Sequence, residues 1–227
     1  MRDSYQRFFE YFNIDFSDII EFGVEIDTIY PDPIKIKTEW IDLINSIENN
    51  GNVYIRGYGR DAHGTALYQE FYRILLNNEN IKKDPSNNDN PTRLLQNITK
   101  YSKTIKKDSI AKERISNYQV SHIFGRTKNP FLFTAPWNIV WKSKLLDPFT
   151  GHESKGENTI KYKKAFLHKS KELYSEYISE YNQLVYRYFS IDKLEKAFNL
   201  MSTNLDTSQK IFKKFKVDAV NELKPID

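Results

Sequence analysis

From Thr159 to Tyr188, the residues Phe166, Leu173, Tyr177, Tyr181, Leu184 and Tyr188 recur at helical spacing, and charged side chains fill the opposite side. A stripe this long specifies one extended amphipathic helix whose apolar face needs a partner surface. The remaining chain must supply that surface. With 227 residues in all, there is enough for one well-buried domain, or for a small catalytic core with helical attachments.

The segments before the long helix are shorter and more mixed. Tyr5, Phe8, Phe9 and Phe12 predict a helix over 4–13, and Trp40, Ile41, Leu43, Ile44 and Ile47 predict another over 38–47. Between them, Tyr30-Pro31-Asp32-Pro33 breaks regular structure. Val53-Tyr54-Ile55-Arg56 reads as a short strand after Gly51-Asn52. Gly57-Tyr58-Gly59-Arg60 then leads to a helix that Asp61 can cap, with Leu67, Phe71, Ile74 and Leu75 inward. A loop is expected from Lys83 to Asn90, and a helix entered through Pro91 over 91–101. Strand formers return at Tyr118–Ile123 and Asn138–Trp141, and helical segments fill 191–223. The expected class is α+β with helix predominant. The expected division is a mainly helical region over 1–101 and a catalytic core with C-terminal helices over 102–227.

Composition removes several chemistries. The chain has no cysteine, which excludes disulfides, thiolate zinc sites and a Cys nucleophile. No apolar run approaches the roughly 20 residues that cross a bilayer, and no apolar signal-peptide core follows the first residues. A cytoplasmic protein without a membrane partner is expected. The net charge of +4 permits nucleic-acid binding without requiring it. Basic residues do concentrate at Lys100, Lys103, Lys106, Lys107, Lys112 and Arg114, where a solvated face and a phosphate contact are equally open readings.

The passage with chemical content is Ser121-His122-Ile123-Phe124-Gly125-Arg126-Thr127-Lys128, then Trp137-Asn138-Ile139-Val140, then Gly151-His152-Glu153-Ser154-Lys155. His122 closes a strand before a Gly-containing loop, Asn138 heads an apolar run, and His152 follows a turn with Lys155 three residues on. Each has an ordinary structural alternative. His122 could be a hydrogen-bonded strand-end histidine, Asn138 a turn or cap residue, and His152 a solvent-facing residue at a helix start. Together they match the needs of phosphodiester hydrolysis. A neutral imidazole takes a proton from water, a hard divalent cation offsets charge on the phosphate, and basic side chains hold the neighbouring phosphates.

The order His, Asn, His resembles the HNH branch of the ββα-metal nucleases. The resemblance covers about 35 residues. It implies two strands and a following helix around a catalytic Mg²⁺, or another divalent cation such as Mn²⁺. It makes His122 the general base, Asn138 either a metal ligand or the residue that orients His122, and His152 a metal ligand or phosphate contact. Lys155 matches the basic position after that histidine. Ser121 stands where many members carry an acidic residue or a second His, the Asn138-to-His152 spacing is longer than in compact members, and the zinc-binding Cys pairs of some relatives are absent. Arg126 and Lys128, in the loop after the base, are expected to hold phosphates. Arg56 and Arg60, flanking Gly57-Tyr58-Gly59, are weaker nucleic-acid contacts. His63 and His168 have no expected role.

The resulting expectation is a DNA endonuclease of the restriction type, acting on double-stranded DNA, with a homodimer if it reads a palindrome. A phage or mobile-element nicking enzyme, a nuclease toxin and a helical nucleic-acid-binding protein without catalysis are the alternatives.

Overall fold

The structure, a computed structural model, describes residues 2–57, 62–104, 112–151, 153–204 and 208–227. Helix α1 (Ser4–Phe12) starts where the Asp3 carboxylate accepts from the amides of Tyr5 and Gln6. That cap supplies partners for two of the orphan donors every helix start leaves. Helix α2 (Phe16–Glu21) opens on Asp15 in the same way and runs into a π-helical turn, Phe22–Ile26. Neither the helix nor the turn was legible as a periodic stripe. Helix α3 (Pro33–Glu48) begins five residues earlier than its apolar spacing predicts, because Asp32 caps it and Pro33 occupies the first turn.

Strand β1 (Val53–Ile55) pairs in parallel with β2 (Ile81–Lys83), across helix α4 (Ala62–Leu76). The segment expected as a loop therefore begins with a strand residue. It is then ordered by Asp84, fully buried, whose carboxylate accepts from the backbone amides of Ser86, Asp89 and Asn90. Those bonds launch helix α5 (Asp89–Ile98) two residues before Pro91. Strands β3 (Tyr101–Ser102) and β4 (Glu113–Arg114) form a short parallel pair on either side of residues 105–111.

Strand β5 (Tyr118–His122) and strand β6 (Ile139–Ser143) form an antiparallel pair, with Ser121 opposite Val140 and His122 opposite Ile139. Ile29 bridges to Trp141 on the far side of β6, so among the described residues β5 is the edge. After a 3-10 turn, Asp147–Thr150, helix α6 (Glu157–Tyr188) confirms the predicted long helix, with one kink at Tyr174 (φ −123°, ψ 21°). Just before the kink the Ser170 hydroxyl bonds back to the Phe166 carbonyl at 2.8 Å, a contact that bends helices. Helices α7 (Ile191–Asn204) and α8 (Gln209–Glu222) complete the chain. The class is α+β, helix predominating. Among the described residues no helix is long and apolar enough to cross a membrane.

The link from β5 to β6 is itself core. Phe131, Leu132, Phe133, Ala135 and Trp137 are all fully buried, and each Phe-sized side chain removed from water contributes about 1.5–3 kcal/mol. Trp137 packs edge-on against Trp40 of α3 and lies 6.2 Å from Tyr181 of α6. Residues on both sides of position 101 thus share one apolar cluster.

Candidate functional site

Four consecutive residues of β5, Gln119 to His122, line a cavity of about 260 Å³ together with Arg56, Asn88, Gly125, Thr127, Asp147 and Glu153. Side chains of a strand alternate between faces, so a cavity touching four in a row lies along the strand's edge. This edge is the one that no other strand covers among the described residues. Arg56 reaches it because its backbone amide donates to the Thr127 carbonyl at 2.9 Å. Asn88 reaches it on the turn that Asp84 organises.

His122 is 6% exposed, its ring stacked 5.5 Å from Phe133, and its Nε2 lies 3.0 Å from the Phe133 carbonyl oxygen. A carbonyl only accepts, so in the neutral ring Nε2 carries the proton and Nδ1 is the basic nitrogen. The imidazole is held in orientation by two contacts to one residue.

Asn138 is fully buried and engaged at both ends of its amide. Its oxygen accepts from the Phe124 amide at 2.9 Å, and its nitrogen donates to the Leu132 carbonyl at 2.9 Å and to Gly125 at 3.4 Å. It pins both ends of the loop that starts at His122. Expected as a metal ligand or as the residue that orients His122, the Asn138 amide is engaged by the loop backbone at both its oxygen and its nitrogen. Asn129 does the same for the middle of the loop, bonding the Tyr181 hydroxyl, the Glu222 carbonyl and the Phe131 amide.

Arg126 and Lys128, expected on phosphates, are engaged by the C-terminal segment instead. Arg126, in a left-handed conformation (φ 53°), donates to the carbonyls of Lys224 and Pro225. The Lys128 ammonium pairs with Glu222 at 3.5 Å, and its backbone amide donates to the same carboxylate. Lys112 from the basic run is likewise bonded to the carbonyls of Gln96 and Thr99. Lys155 is exposed just before α6. His152 and Arg60, both expected at the site, lie outside the described residues, as does Asp61.

Several lining residues carry no signal in a pattern of His, Asn and His. Asp147 and Ser121 are 7% and 4% exposed, and Asp147 Oδ1, Ser121 Oγ and Asn88 Oδ1 are buried with no hydrogen-bond partner among the described residues. The other Asp147 oxygen accepts from the Gln119 amide at 2.5 Å. Unsatisfied buried polar atoms are costly, about 1–3 kcal/mol each, and three of them belong to residues of one cavity wall. Hard oxygen donors of this kind suit Mg²⁺ or Mn²⁺. The one available hint was the polar Gln119 and Ser121 at alternate positions of an otherwise apolar strand.

Behind the cavity lies a buried lysine. Lys142, opposite Gln119 across the hairpin, is fully buried and donates at 2.5 Å to the Gly23 carbonyl and to the Thr28 hydroxyl. The π-helical turn places Gly23 there, and a Cβ on that residue would collide with the Tyr162 hydroxyl. Burial pushes the Lys142 ammonium down to about 8, against the opposing pull of Asp27 and Asp147.

No solved structure matches the chain. A family model described as "Uncharacterised protein PM1201" matches residues 31–227. The chain is 45% identical over 195 residues to "Uncharacterized protein PM1201" of Pasteurella multocida (strain Pm70), covering 86% of this chain and 84% of that protein. By both measures the chain belongs to the PM1201 family.

Proposed function

We propose that this chain is a metal-dependent DNA endonuclease in which His122 activates the attacking water. The observation that carries the reading is the buried His122 ring on the cavity wall, held in orientation by the Phe133 carbonyl and the stacked Phe133 ring. A water oxygen attacks phosphorus as its proton passes to the His122 imidazole. The bond from phosphorus to the leaving oxygen breaks, and that oxygen takes a proton from solvent. The Phe133 carbonyl then accepts from an imidazolium, and a charged donor makes the stronger bond. In this reading Arg56, on the cavity wall, holds the non-bridging oxygens of the same phosphate, and Lys155, exposed just before α6, those of a neighbouring one. A divalent cation, when bound, offsets the charge that develops on the phosphate and leaving oxygen.

His122→Ala tests this. At equal folded fraction, plasmid cleavage with Mg²⁺ or Mn²⁺ is expected to fall by about 100- to 10,000-fold, the usual worth of a general base, while binding to the DNA persists. Equal cleavage by both proteins would overturn the assignment. Discrete fragments from the wild type identify a sequence-specific, restriction-type enzyme, and a smear a non-specific one.

A further inference from the structure

We infer that Asp147 and Ser121, with Glu153 at the rim, form the cation-binding wall of this cavity, taking a hard divalent cation through oxygen ligands. Three observations converge. Asp147 Oδ1 and Ser121 Oγ are buried with no hydrogen-bond partner among the described residues, and both residues line the cavity. The second Asp147 oxygen is fixed by Gln119, so the carboxylate cannot rotate away without losing that bond. Charge also runs in the right direction, since the cavity lining holds two carboxylates, Asp147 and Glu153, against the single guanidinium of Arg56. The Lys142 ammonium is spent on Gly23 and Thr28 and does not bond Asp147. An excess of acceptors and negative charge selects a cation over an anion, and oxygen donors select a hard one.

Asn138 is committed to the loop backbone. Asp147, distant in sequence and brought in by the 3-10 turn after β6, supplies a carboxylate beside Ser121. Water completes the shell. The role of this cation in cleavage rests on the nuclease reading, but its binding does not.

Titration of the full chain with Mn²⁺, followed by electron paramagnetic resonance, reads binding without any nuclease assay. Wild type is expected to bind Mn²⁺, Mg²⁺ to compete for the same site, and His122→Ala to bind as wild type does. Asp147→Asn should weaken binding by roughly 10- to 100-fold, the scale on which metal sites respond to losing such a group. Ser121→Ala and Glu153→Gln should weaken it by smaller factors, and Glu195→Gln on α7 should change nothing. Should Asp147→Asn fail to fold, Ser121→Ala and Glu153→Gln carry the test. No Mn²⁺ binding by folded wild type, or binding unaltered by the wall variants, overturns the inference and leaves ordered water as the partner of these oxygens. Mn²⁺ binding without DNA cleavage would sustain this site and sink the nuclease reading instead.

Discussion

The loop from Phe124 to Asn138 and the cavity edge of β5 are neighbours in the chain and opposites in their chemistry. In the loop the key polar side chains are answered. Asn138 and Asn129 use both ends of their amides, and Arg126 and Lys128 close onto the C-terminal segment. Along the edge, Ser121, Asn88 and Asp147 each keep a buried oxygen without a partner among the described residues. Satisfied groups hold a shape, whereas unsatisfied ones carry a cost that a bound ligand can repay. The loop is scaffold and the edge is the place to look for a bound ligand. His122 stands where the two meet, tied to the loop through Phe133 and lining the cavity.

Substituting the scaffold should cost stability first. Asn138→Ala leaves the Phe124 amide and the Leu132 carbonyl without their partners, and about 2–4 kcal/mol of unfolding free energy should go with it. Urea unfolding measures this, and a loss below about 1 kcal/mol would break the claim that Asn138 pins the loop.

Lys142 tests the ground beneath the edge. Its folded-state pKa, about 8, lies below the ordinary 10.5, so below about 8 the ammonium is charged in both states and the fold bears the penalty. Between the two values the unfolded chain keeps a proton that the folded chain has released, so stability rises with pH across that window. The rise should be on the order of 3 kcal/mol in wild type and absent from Lys142→Met, compared by urea unfolding over the same range. Parallel curves would show that the buried ammonium is not penalised.

The two arginines sharpen the contrast. On the nuclease proposal, Arg56→Ala should slow DNA cleavage by roughly tenfold, with little change in melting temperature. Arg126→Ala should do the reverse, costing about 1 kcal/mol of stability and leaving the cleavage rate near wild type. If the two effects exchange, the scaffold and the edge have been assigned the wrong way round.

Much of the architecture was legible because it rests on periodicity. The stripe over 159–188 specified α6, and the strand formers at 118–123 and 138–141 specified the hairpin within two residues at each end. What periodicity could not reach were elements set by local bonds. The π-helical turn depends on backbone partners, β2 on a parallel partner 28 residues away, and the start of α5 on the buried Asp84 carboxylate. The site divides in the same way. His122 and Asn138 were visible because they flank strands, and Arg56 because glycines follow it. Asp147 was not, since its place on the cavity wall comes from a turn that reads as irregular sequence. Arg126 and Lys128 looked available for phosphate only because the sequence does not reveal that residues 222–225 return to cover them.

The most direct measurement is incubation of the purified, folded chain with plasmid and phage DNA in Mg²⁺, in Mn²⁺ and in EDTA. Cleavage in at least one cation and none in EDTA is the predicted result. Intact DNA under every condition, or cutting that EDTA leaves unchanged, would contradict it.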